Sequence, residues 1–113
     1  MALFKSITLP NGIGGNYIRV ADSFELNRRN ETVTAHVSLF KDESHAMTLP
    51  NYPLAVIGLV ELNSEKFNQY LGRDALLAAG GNIVGQLYLA AKSETVRALG
   101  PLTELSLSDA SDV

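Results

Sequence analysis

His36 and His45 are the only histidines among 113 residues, so any chemistry that needs an imidazole must run through one of them. His45 stands in the run DESH, beside Asp42, Glu43 and Ser44, so the residue types of a Ser–His–acid set are all present. Such sets are assembled in space from separated elements, however, and adjacency along the chain does not supply that geometry. His36 falls on the polar side of an alternating stretch, where a solvated imidazole is ordinary. A zinc site would need three or four ligands, so the two histidines would have to recruit carboxylates. Glu61, Glu65 and Asp74 lie in polar surroundings and read as solvated surface, not as the paired carboxylates of a cleft. No residue is therefore assigned a catalytic, cofactor-binding or metal-ligating role, and neither an enzyme nor a cofactor is expected.

Two glycine runs suggest phosphate chemistry at first sight. LPNGIGGNYIRV, residues 9–20, contains NGIGGN, but it has neither the Walker spacing ending in Gly-Lys-Ser/Thr nor the six-residue dinucleotide fingerprint. A phosphate loop must also open a helix whose amides face the anion, whereas this one opens an alternating strand. It reads as a turn. GGNIVG, residues 80–85, does precede a helical stretch, yet no Lys or second acid completes a nucleotide site, so close backbone packing or a helix break is expected there.

The elements that would carry these residues follow from periodicity. Ile18, Val20, Phe24 and Leu26 alternate with polar residues, and Asp22 interrupts that face, which predicts a local irregularity. Val33, Ala35, Val37 and Leu39 alternate likewise, with NRRN between the two runs. These predict a long antiparallel hairpin, 17–26 with 31–40. ALFKSITL reads as a first strand whose free edge, residues 3–9, is open to a partner strand. KDESHAM reads as a loop. TLPNYP has two prolines that bar a central strand, and LAVIGLVEL reads as a short buried strand, although an apolar run this short could also start a helix. The Ala- and Leu-rich last third predicts a short helix near 74–79 and a main helix near 82–92 capped by Asn82, or one kinked helix. Gly100 followed by Pro101 reads as a helix C-terminal cap. The expected fold is α+β: a three- to four-stranded antiparallel sheet with the long hairpin 17–40, packed by a C-terminal helix. Residues 1–105 form one domain and 106–113 an acidic C-terminal tail, free or docked on a neighbour.

The totals bound the class of function. A content of 46% hydrophobic and 19% charged residues belongs to a folded chain, and the length fits one domain. The net charge of −3, with Lys and Arg scattered, argues against nucleic acid. The absence of Cys rules out disulfides, thiolate metal sites and a Cys nucleophile, and it fits a reducing compartment. MALFKSITL lacks the basic region and long apolar run of a secretory signal, and Leu54 to Val60 is too short to span a membrane. A soluble protein that meets neither nucleic acid nor membrane is expected. Tyr52, between Pro50 and Pro53, admits two readings: an aromatic contact on a rigid loop, or a core tyrosine capping the sheet.

MALFKSITLPNGI, NYIRV, NIVGQLYLAAKS and the ending LSLSDASDV together resemble a group of small bacteriophage proteins. That group is regarded as virion components or tail and baseplate accessories without enzymatic activity. The likeness covers both ends of the chain and leaves out Lys41 to Leu71; at Ile18 similar proteins often carry His. It implies a multi-copy tail or baseplate structural protein located in the virion and made in the bacterial cytoplasm. The expected partners are other virion proteins and copies of itself in a homo-oligomer, since virion parts act through interfaces. The alternative is a binding module or assembly chaperone acting transiently. Asn11, Asn16, Tyr17, Arg19, Tyr52, Asp109 and Asp112 are the candidate interface residues.

Overall fold

A computed structural model describes residues 2–93, 96–102 and 104–112; the side chains of 21–23, including Asp22, lie outside the described set. The alternating segments form strands β1 (Leu3–Thr8), β2 (Gly14–Asn27) and β3 (Thr32–Phe40), and LAVIGLVEL supplies β4 (Ala55–Asn63). Two-residue strands β5 (Arg97–Ala98) and β6 (Ser111–Asp112) flank them, in the order β5-β4-β3-β2-β1-β6. The fold is α+β with an antiparallel sheet, as expected, but it has more than the expected three to four strands. Alternation cannot reveal a strand of two residues, because two positions define no period.

The turn between β1 and β2 follows from its residues. Pro10 and Asn11 occupy the bend, Gly12 adopts φ +88°, and Leu9 N–H donates to Ile13 O at 2.8 Å. That is a three-residue hairpin loop, which needs a left-handed residue at its third position, and glycine takes it without steric cost. Gly15 serves a different purpose. A Cβ there would lie 2.4 Å from the Phe40 carbonyl oxygen, so the two strands can approach only because it is absent.

The long hairpin pairs Ile18 with Leu39, Val20 with Val37, Phe24 with Ala35 and Leu26 with Val33. Between Val20 and Phe24 the register shifts, at the irregularity that Asp22 suggested: β2 advances four residues while β3 advances two. Two extra residues keep the alternation in phase, whereas one would have turned Phe24 and Leu26 to solvent. Ile18, Val20, Val33, Val37 and Leu39 consequently share one buried face.

Helices cover that face. The Gly80-Gly81 pair, both at positive φ, separates α3 (Arg73–Ala78) from α4 (Ile83–Ser93), so two helices form and not one kinked helix. Asn82 caps α4, its Oδ1 accepting the Gly85 N–H at 2.9 Å. Helix α2 (Ser64–Leu71) is an addition; Phe67, Tyr70 and Leu71 face the core at helical spacing. KDESHAM is not all loop. Asp42 accepts the His45 N–H at 2.8 Å and starts α1 (Glu43–Thr48), which covers a small second core of Ala2, Tyr17, Phe40 and Ala46. Gly100 ends no helix, because β5 lies between it and α4; at φ +62° it makes the turn from Leu99 to Leu102.

The end of the chain is docked on the sheet. Leu107 is fully buried, Ala110 nearly so, and β6 pairs with Leu3 and Phe4. The β1 edge is thus occupied there instead of open along 3–9. Burying one leucine stabilises by about 1.5–3 kcal/mol, against about 0–1 kcal/mol for an exposed ion pair, so Leu107 is the main anchor.

Gly15→Ala is expected to lower stability by about 1–3 kcal/mol, since the Phe40 carbonyl belongs to backbone that cannot swing aside. Urea denaturation checks this; a midpoint equal to wild type would show that the strand approach is not constrained at Gly15.

Candidate functional site

Both histidines are accounted for by the fold. His36 is exposed on the outer face of β3, opposite Leu59. His45 Nδ1 accepts the Lys41 N–H at 3.0 Å, and Nε2 lies 3.0 Å from the Tyr52 carbonyl oxygen. A backbone N–H can only donate and a carbonyl can only accept, so the imidazole carries its proton on Nε2. Its ring meets Phe40 edge-on at 5.3 Å. Asp42 is used as a helix cap, Ser44 is exposed, and among the described residues no Ser–His–acid geometry forms around His45. Glu61 pairs with Arg97 at 3.8 Å, and Glu65 and Asp74 are exposed. Among the described residues no group of three His, Asp or Glu could hold a metal ion, and no helix is long and apolar enough to cross a membrane.

The candidate interface residues scatter over the surface, and one leaves it. Asn11 serves its own turn, accepting the Ile13 N–H at 3.0 Å. Asn16 is half-buried, its N–H donating to the Lys41 carbonyl, and Arg19 is half-buried opposite Ser38. Tyr17 is buried in the second core together with Ala46 of α1, a helix that the polar run concealed. Asp109 and Asp112 bind the end of the chain to the body, through Lys5 at 2.9 Å and Lys92 at 3.4 Å.

Tyr52 resolves in favour of the surface: it is 71% exposed and caps nothing. The imidazole of His45 holds its backbone carbonyl, and its N–H donates to Leu49 O at 3.1 Å, so the loop is fixed while the ring projects. Met47, Leu49 and Val56 are exposed as well. Four of the eight exposed large hydrophobic side chains among the described residues therefore fall within ten positions. Met47 and Leu49 were missed because they flank a polar run; the signal was the apolar content of MTLPNYP itself.

Electrostatics single out one group. The Asp109 carboxyl is held below the usual carboxylate range, first by its hydrogen bond with Lys5 and then by a bond to its own backbone, against an opposing effect of desolvation and with a last contribution from the Lys5 charge.

Comparison with known protein families, with curated proteins and with solved structures finds no match to this chain.

Because its folded pKa is depressed, Asp109 contributes stability above the unfolded carboxylate pKa and loses it as pH falls through the folded value. In a carboxyl-detected NMR titration Asp109 is expected to titrate below ordinary aspartates, and Lys5→Met is expected to return it to the ordinary range. An Asp109 pKa unchanged by Lys5→Met would refute the pairing.

Proposed function

We propose that this chain is a bacteriophage structural protein, a multi-copy tail or baseplate component that works through protein–protein contacts and performs no chemistry of its own. The observation that carries this reading is the exposed Tyr52 on a loop whose backbone is held, with Met47, Leu49 and Val56 also exposed within the same ten positions of the chain. A tyrosine held outward by a backbone clamp is pre-organised for contact, since little freedom is left to lose on binding. Aromatic side chains of this kind supply the few residues that dominate interface energy. The likeness of both chain ends to small virion proteins gives the class of particle. Both histidines have structural or solvent-facing settings, which suits a role in assembly.

Mass spectrometry of purified particles tests this. The chain is expected at several copies per particle. Tyr52→Ser is expected to fold with unchanged thermal midpoint yet enter particles about tenfold less. Absence of the chain from particles overturns the structural reading; if particle yield nevertheless falls on its deletion, the chain is a transient assembly chaperone.

A further inference from the structure

A second surface feature is separate from the Tyr52 loop. Arg28, Arg73, Leu76, Leu77, Gly80 and Gly81 line an open concavity of about 500 Å³ at the N-terminal end of α4. Its wall is apolar, with Leu77 70% exposed. Arg28 Nη1 donates to the Leu71 carbonyl at 3.2 Å. Among the described residues neither guanidinium pairs with a carboxylate. A guanidinium stays charged at any physiological pH and matches a carboxylate with two parallel hydrogen bonds. The site therefore suits an aliphatic side chain standing beside a carboxylate.

The chain carries such a pair itself. Leu89, 51% exposed, and Asp112 line one depression at the C-terminal end of α4, together with Lys92. The Lys92 side chain is 27% exposed and that of Asp112 79%, so the carboxylate is the more accessible charge of the pair. Lys92 engages Oδ1, and a carboxylate has acceptor sites to spare. The two features cannot meet within one molecule, because α4 holds them about 16 Å apart.

We propose that the Arg28–Arg73 surface packs against the Leu89–Asp112 end of a second copy of this chain, with the exposed Leu77 set toward the depression there, in a head-to-tail contact along the axis of α4. The proposal rests on the reading of the chain as a multi-copy component. The contact uses different surfaces on the two partners, so each copy keeps one free end, and association continues into a ring or filament. The charges supply register and the two leucines the desolvated centre of the contact.

Two variants test the polarity of the contact: one with Arg28→Gln and Arg73→Gln, the other with Leu89→Ser and Asp112→Asn. All the changed side chains are at the surface, and circular dichroism checks each fold. Should the double variants unfold, the single changes Arg73→Gln and Asp112→Asn take their place. Sedimentation velocity is run up to about 1 mM protein in low and high salt. Wild type is expected to form species larger than a dimer, and these shrink as salt rises. Each variant alone is expected to stay monomeric. A mixture of the two is expected to form a dimer and nothing larger, since it retains one intact concavity and one intact acidic end. A monomeric wild type, a mixture that stays monomeric, or variants that associate like wild type would each overturn the contact. The two readings fail separately: a chain found in particles but monomeric in solution loses this contact alone, and a self-associating chain absent from particles loses the virion role alone.

Discussion

The arrangement depends on how the middle of β2 meets α4. Where the register to β3 slips, the Val20 N–H donates at 2.9 Å to the hydroxyl of Tyr88, which in turn lies 3.5 Å from the Val20 carbonyl oxygen. Tyr88 is buried, so water cannot easily replace it. An unsatisfied buried amide costs about 1–3 kcal/mol, comparable to a core side chain. The phenol thus does two things at once: it satisfies backbone at a defect in the ladder, and it fixes the helix over one point of the sheet. Apolar packing alone gives adhesion without an address, whereas this hydrogen bond sets where α4 sits.

The other features of the surface follow from that placement. With α4 fixed over β2, its N-terminal end stands beside the hairpin arginine Arg28, and its C-terminal end stands beside β6 at the β1 edge. The Gly80-Gly81 break sets the turn that brings α3 alongside, so that Leu76 and Leu77 line the basic concavity. On the opposite face α1 covers only one end of the sheet. The loop that follows it is held by His45 and leaves its apolar side chains outside. One layer of helices therefore accounts for most of the core, while the contact surfaces lie at its margins.

Much of the frame was legible in the residues. Alternation identified the long hairpin because each inner residue faces another inner residue across the strands, and a two-residue bulge leaves that phase intact. Asn82 and the glycine pair were legible because capping and positive φ are local matters. What escaped was non-local or too short to carry a period. The docking of residues 106–112 depends on Leu107, a single leucine in a polar run, and on a two-residue strand. Helix α1 escaped because one turn with an aspartate cap looks polar throughout, and with it went the burial of Tyr17. Candidate contact residues chosen by type were scattered by the fold. The exposure of Met47, Leu49 and Val56 and the arginine concavity became visible only once the fold was known.

The account's physical centre, the Tyr88–Val20 link, can be measured at a single amide. In native-state hydrogen exchange the Val20 amide of wild type is expected to be strongly protected, in step with the core of β2 and β3. In Tyr88→Phe, which removes only the hydroxyl, Val20 is expected to exchange about tenfold or more faster, with global stability lower by about 1–3 kcal/mol. Equal Val20 protection and an equal unfolding midpoint in the two proteins would contradict the view that this hydrogen bond seats the helix on the sheet.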